Sequence, residues 1–415
     1  MSARGERVRR RVVVTGIGVA TPLGNDRDTL VRALLAGESG VRTMRAWDGI
    51  KFLLTRLAAP ADVPDLKDLP RKAARTMGRV AMLATYATQH AVREAGLTPE
   101  DMRSGRLGLA HGSTHGSSSA NEEWVKKLFE QNGFLGLPGT SYLKFMSHTT
   151  AANLAAHFGI RGRVMTTCAA CVSASQAIGY GYEAVRSGAV DVMICGGAEE
   201  LHFTHAGVFD ILHATSTHYN EEPSRAPRPF DKKRDGLVVG EGAGTFVLEE
   251  RERALAAGKV IIAEVLGFGT NCEGEHVTNP TKEGMRGAMD LALEDAGLSP
   301  EAIGYVNAHA TATDVGDLAE SAAMYDVFGD RVPVSSLKGH LGHTLGACGA
   351  IEAAASIVMM QLGRIVPTKN LDEPDPRCAL LDYVRGEPRK AEFSAFMSNK
   401  FAFGGLNTSL IFGRP

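Results

Sequence analysis

One thiol, two imidazoles and one ammonium stand in this chain where a catalyst would hold them. Cys168-Ala-Ala-Cys171 has the spacing of a redox pair or of half a metal site, but its surroundings favour a single nucleophile. Val164–Thr166 reads as a short strand before it. Val172–Arg186, rich in small residues and closed at Gly188, reads as a buried helix after it. Cys171 therefore falls where a helix begins. The partial positive charge and free N–H groups of a helix N-terminus lower a thiol pKa and favour the thiolate. A buried, inert cysteine is the alternative, and the residues alone leave both open. Cys195, Cys272, Cys348 and Cys378 have no comparable setting.

His309 lies directly beyond a predicted strand, in Asn307-Ala-His-Ala-Thr-Ala-Thr-Asp-Val-Gly-Asp317. Lys338-Gly-His-Leu-Gly-His343 precedes a Gly/Ala-rich predicted helix, Thr344–Met360. A lone histidine usually satisfies a core hydrogen bond. Two with a lysine, each at a strand exit or helix entry, suit an α/β body whose ligands gather at the carboxyl ends of strands. The tail Ser398-Asn-Lys-Phe-Ala-Phe-Gly-Gly-Leu-Asn407 is a glycine loop with two aromatics. It can lend backbone N–H groups to an oxyanion, or merely turn the chain. Gly16-Ile-Gly18 invites a dinucleotide reading, but the third glycine would fall at Thr21 and Pro22 follows. A tight strand exit fits better.

The elements that position these residues alternate. Val12–Val19 reads as a buried strand, Asp28–Leu35 as a helix closed by Gly37, and Met77–Ala95 as a helix stopped at Gly96. Strands follow at Leu107–Ala110, Val190–Cys195, Gly244–Leu248, Ile261–Val265 and Tyr305–Asn307. This alternation predicts βαβ units and a mostly parallel sheet. Ala91-Val-Arg-Glu-Ala-Gly-Leu-Thr-Pro-Glu100 returns as Ala292-Leu-Glu-Asp-Ala-Gly-Leu-Ser-Pro-Glu301, half a chain length later. Two equivalent halves, residues 1–255 and 256–415, account for it.

Composition narrows the functional classes. With 45 basic and 47 acidic residues the chain has no overall basic footprint for nucleic acid. Its 44% hydrophobic and 22% charged residues exclude wholesale disorder. Apolar stretches are broken short of the ~18 residues a membrane span needs. The Arg-rich start, Met1–Arg11, has no long apolar segment behind it, so no signal peptide and a cytoplasmic location are expected.

Taken together, the motifs resemble those of β-ketoacyl-acyl carrier protein synthases of the elongating type I/II group, in the thiolase superfamily. The resemblance runs from Val12-Val-Val-Thr-Gly16 to Phe401-Ala-Phe-Gly-Gly405. It takes in Thr167-Cys-Ala-Ala-Cys-Val-Ser-Ala174, Asp191-Val-Met-Ile-Cys-Gly-Gly-Ala-Glu199 and the Arg228–Gly236 segment running on to Gly240-Glu-Gly-Ala-Gly244. It implies an α/β thiolase-like fold, two similar βαβ-rich halves in five α-β-α-β-α layers. The implied activity is decarboxylative condensation of malonyl-acyl carrier protein with an acyl group held on Cys171, in fatty-acid biosynthesis. The alternative is a ketosynthase subunit of a specialised type II aryl polyene or polyketide pathway, as a heterodimer with a related synthase.

By the same resemblance, Cys171 is the nucleophile, His309 and His343 assist decarboxylation, and Lys338 supports them. The N–H groups of Cys171 and Phe403 form the oxyanion hole. Thr311 and Thr313 bind the phosphopantetheine arm, Phe403 gates the acyl pocket with Phe209 as its partner, and Glu352 is a structural acid nearby. Lys72 and Arg75 would dock an acidic carrier protein, an ordinary solvated helix face being the other reading. No metal and no intrinsic cofactor are implied; phosphopantetheine arrives on the carrier protein. A homodimer is expected. Three departures bear on substrate shape: Ala310 for the usual glycine after His309, Val172 after the nucleophile, and Leu406 after the twin glycines. If that glycine uses positive φ in relatives, Ala310 costs strain. His111 and His115 lie in a segment, Ala110–Ser119, expected at the pocket base, and are read as satisfied loop residues. Two other classes fit less well. Silent chain-length partners lack the nucleophile, and thiolases need a second cysteine near the C-terminus.

Overall fold

Apolar, β-branched runs become the strands of one eleven-stranded sheet. The computed structural model describes residues 9–64, 66 and 69–415; Met1–Val8, part of the arginine-rich start, lies outside them. In chain order the strands are β1 (Val12–Ala20), β2 (Leu107–Gly112), β3 (Val164–Thr166), β4 (Val192–Glu199) and β5 (Gly242–Glu250). Then follow β6 (Ala263–Cys272), β7 (Val306–Asn307), β8 (Pro333–Ser335), β9 (Asp382–Tyr383), β10 (Ala395–Ala402) and β11 (Leu406–Gly413). Across the sheet they run β9-β8-β7-β10-β11-β6-β1-β5-β4-β2-β3. β1 and β6 meet antiparallel in the middle, Val12 opposite Val265. Outward from that seam each side repeats one order: first strand, last, fourth, second, third. β9 adds an extra edge.

The sheet is mixed rather than mostly parallel. β2 pairs parallel with β3 and β4, and β7 with β8 and β10. The last strand of each side instead lies antiparallel between the first and the fourth. Strand–helix alternation cannot reveal that reversal. β10 and β11 are joined by a hairpin turn of only Phe403–Gly405, and such a short turn forces antiparallel pairing.

Helices complete the layers. Arg79–Glu94 (α1) packs on β1 and Lys282–Ala296 (α3) on β6, while Ser173–Arg186 (α2) and Cys348–Leu362 (α5) each touch strands of both sides and form the buried middle layer. α5 is buried from Cys348 to Met360. Leu345–Leu362 is long and apolar enough to cross a membrane, but 89% of it is enclosed by protein.

Gly16 and Gly18 lie inside β1, not at a strand exit, because α1 presses on them. A Cβ on Gly18 would stand 1.9 Å from the Ala87 carbonyl oxygen, and one on Gly269 of β6 2.1 Å from that of Ala288 in α3. Gly16 meets Ala91 and Gly267 meets Ala292 in the same way. The repeated decapeptides thus end the two outer helices. Each closes on a glycine in left-handed conformation, Gly96 (φ +59°) and Gly297 (φ +64°).

Candidate functional site

Cys171 sits in a single 3-10 turn, Ala170–Val172, between β3 and the start of α2. Ala170 takes φ +47°, a left-handed conformation that costs an alanine about 1–2 kcal/mol. Ser173 braces the turn: its Oγ donates to the Ala170 carbonyl at 2.7 Å and accepts from the Ala169 N–H at 3.0 Å. The Cys348 thiol donates to the Cys171 carbonyl at 3.3 Å. Cys171 is buried against Trp47, Ala206, Phe209 and Leu345. Cys168 is exposed and donates to the Ser147 carbonyl, and both thiols are free. The pair is therefore not disulfide-linked here, and only Cys171 faces the histidines.

His343 brings its Nε2 to 3.0 Å from the Cys171 Sγ, and its ring stands edge-on to that of His309 with centroids 5.1 Å apart. His309 is held from behind. Glu320, on helix Asp314–Phe328 (α4), accepts from the backbone N–H groups of His309 at 2.7 Å and Ala310 at 2.6 Å. The strain expected at Ala310 falls elsewhere, since the left-handed residue of this loop is Ala312, at φ +69°. Gly236 N–H bonds to the Ala312 carbonyl, and Asp317 accepts from its N–H, so the strain is held in place.

Lys338 is fully buried and donates to Glu352 Oε1 at 2.7 Å. Glu352 Oε2 lies 3.0 Å from a second fully buried ammonium, that of Lys400 in β10. Burial pushes the Cys171 thiol pKa well up, Cys348 adding to it and the Lys338 ammonium opposing it. This reverses the expectation of a resting thiolate, because desolvation of the charge outweighs the helix N-terminus. Burial, with Lys338 and Lys400, holds both histidines well below the ordinary imidazole range, so they are neutral. Burial would lower Lys338, but Glu352, Cys348 and Glu320 more than compensate and raise it; Lys400 is lowered, by burial. Burial pushes Glu320 up to about 7. Chemically, this is a protonated thiol beside a proton acceptor, under a pair of neutral imidazoles.

The Cys171 Sγ and ring nitrogens of His309 and His343 lie within 4.8 Å of one another, a donor set a soft divalent metal accepts. Two buried ammonium groups oppose a dication there and favour developing negative charge.

These groups open onto a cavity of about 430 Å³. Thr311 and Thr313 line it, their hydroxyls 3.0 Å apart. So do Phe209 and Phe403, with ring centroids 5.3 Å apart, Phe403 standing in the β10–β11 turn. Arg234, from the Arg228–Gly236 segment, forms a wall and is tied to Asp375 at 2.6 Å and Asp314 at 2.9 Å. Lys72 and Arg75 are exposed on and beside the short helix Arg71–Ala74, outside this lining. His111 is fully buried with both ring nitrogens unpartnered, contrary to its reading as a satisfied residue, because it sits inside β2 and not in a loop. His115 is satisfied: its Nδ1 meets the Ser118 hydroxyl at 3.4 Å. Val172 is buried, and Leu406 pairs with Cys272 at the start of β11.

Sequence reasoning missed Lys400 and Glu320. Lys400 had a signal: a lone charge within the otherwise apolar and small run Phe396–Phe403. Glu320 had none, being one acid in a helix with several.

Comparison with known proteins matches residues 9–254 to the beta-ketoacyl synthase N-terminal domain and residues 262–372 to its C-terminal domain. A 3-oxoacyl-[acyl-carrier-protein] synthase 2 of Vibrio cholerae is 38% identical, covering 98% of this chain and 99% of that protein. A beta-ketoacyl synthase from Burkholderia phymatum has a crystal structure with TM-score 0.95 and 51% identity, covering 98% of this chain and all of the other. The ishigamide ketosynthase/chain length factor gives TM-score 0.90 and 34% identity over 98% of this chain and all of the other.

Proposed function

Because the chain belongs to the β-ketoacyl synthase family and condenses acyl groups carried on acyl carrier protein, we propose that Cys171, His309, His343 and Lys338 carry that condensation. The observation behind this reading is the Cys171 Sγ held 3.0 Å from His343 Nε2, with a ring nitrogen of His309 within 4.8 Å of both. Cys171 passes its proton to His343 as it attacks the carrier thioester, and the carrier thiol leaves. Malonyl-carrier protein then loses CO2 while both histidines donate to the enolate oxygen. The enolate carbon attacks the acyl-Cys171 thioester, Cys171 departs as thiolate, and β-ketoacyl-carrier protein is released. The N–H groups of Cys171 and Phe403 hold the tetrahedral oxyanion. Lys338 and Glu352 support the histidines, Thr311 and Thr313 take the phosphopantetheine arm, and Phe403 with Phe209 gates the acyl pocket.

We read the pathway as fatty-acid elongation in the cytoplasm, the chain working as a homodimer of two-half subunits, residues 1–255 and 256–415. Lys72 and Arg75 dock the carrier protein. A second reading, a ketosynthase of a specialised polyene or polyketide pathway paired with a related synthase, is favoured by the likeness to the ishigamide ketosynthase/chain length factor. Val172, Ala310 and Leu406 accord with it. Intact-mass analysis decides between them. The purified protein is offered saturated, polyunsaturated and aryl-capped acyl-carrier proteins, then malonyl-carrier protein. An adduct on Cys171 from saturated chains followed by two-carbon extension supports elongation. Acylation only by unsaturated or aryl-capped chains, or only beside a partner synthase, supports the specialised reading. No adduct on Cys171 from any of them overturns both.

A further inference from the structure

We propose that Lys400 is a second positioning residue of the decarboxylation site, sharing Glu352 with Lys338 so that a surplus positive charge sits buried beside His309 and His343. Lys400 enters from β10, and nothing in the mechanism above uses it. Its ammonium lies 3.0 Å from Glu352 Oε2 and donates to Asn307 Oδ1 at 2.8 Å, Ser398 Oγ at 3.1 Å and the Asn399 carbonyl at 2.8 Å. Asn307 ends β7, two residues before His309, so Lys400 also ties that loop to β10.

Every charged or titratable group around the histidine pair enters the balance. Lys338 comes from the turn before α5, Lys400 from β10, and Glu352 and Cys348 from α5. Glu320 and Asp317 come from α4, Cys171 from the nucleophile turn, and Glu199 from the end of β4. One carboxylate, Glu352, lies against both ammonium groups, hydrogen-bonded to Lys338 at 2.7 Å and in charge contact with Lys400 at 3.0 Å. A buried ion pair of Lys338 and Glu352 alone would be neutral; Lys400 makes the cluster cationic. Burying that charge is costly. The charge gains its use when CO2 leaves and negative charge develops on the enolate: a fixed cation in a dry site stabilises that state more than the starting ester. Together with burial and Lys338, the same cation keeps both imidazoles neutral.

This inference rests on the histidines assisting decarboxylation, and the experiment separates the two. Release of CO2 from malonyl-carrier protein is followed against pH for wild type, Lys400→Met and His309→Ala, with circular dichroism as a check of folding. Loss of CO2 release in His309→Ala upholds the histidine reading; full activity there overturns both. Given that loss, Lys400→Met is expected to slow CO2 release at least about tenfold and to move its acidic limb to higher pH. The histidines are then less strongly depressed and protonate earlier. Lys400→Gln, which keeps a polar end for Asn307, serves if the methionine variant does not fold. A variant with wild-type rate, or one slowed with an unmoved acidic limb, overturns the proposal, since a purely structural lysine leaves that limb in place.

Discussion

A thiol driven to high pKa by burial, with an imidazole nitrogen 3.0 Å away, rests as a thiol and, on the proposed mechanism, ionises only as it attacks. The histidine makes the difference. His343→Ala is therefore expected to slow iodoacetamide alkylation of Cys171 at pH 7 at least about tenfold, and His309→Ala to slow it much less, since it is His343 that hydrogen-bonds the Cys171 Sγ. Equal effects would remove His343 as the proton acceptor. Cys171→Ala should end acyl transfer, read as loss of the covalent mass adduct, while retaining release of CO2 from malonyl-carrier protein. Surviving adduct formation would move the nucleophile elsewhere. Cys171, His309, Lys338 and His343 were legible in the sequence because each falls at a strand exit or helix entry. Lys400 and Glu320 were not: Lys400 meets Glu352 and Asn307 across distant segments, and Glu320, though only eleven residues from His309, is one acid among several on its helix.

The elements hold these residues by close approach of helix to strand. Gly18 under α1 and Gly269 under α3 leave no room for a methyl group, the obstacle in each case being a backbone carbonyl that cannot swing aside. Gly18→Ala and Gly269→Ala should each cost at least about 1–3 kcal/mol in denaturant unfolding. Comparable losses would confirm that the two sides of the sheet pack alike; a neutral result at either would deny it. A twin bulge supports the likeness. Thr15 slips between Val14 and Gly16 opposite β5, and Leu266 between Val265 and Gly267 opposite β11. Most predicted strands and helices fell within a few residues of those observed because apolar runs and glycine stops are local signals, though β6, expected over Ile261–Val265, runs on to Cys272. The antiparallel last strands were missed, because strand direction is set by which surfaces meet.

At the scale of the molecule, a net charge of −2 leaves recognition of an acidic carrier protein to local patches. Lys72 and Arg75 are exposed and lie outside the cavity lining. Lys72→Glu with Arg75→Glu should raise the KM for carrier protein, most at low salt, where screening is weakest, with kcat little changed. An unaltered KM at low salt would return both to an ordinary solvated face. Taken alone, the sequence determined an α/β chain, the chemical types at the site and the family they resemble, because these are carried by short runs and their order. Only the tertiary structure decided that the thiol rests protonated, that the sheet is mixed and that a second lysine shares Glu352. Each depends on burial or on contacts between distant segments: a carboxylate of α5 meets a β10 ammonium only once the middle layer is packed, and a side chain's charge state follows from the water it has lost.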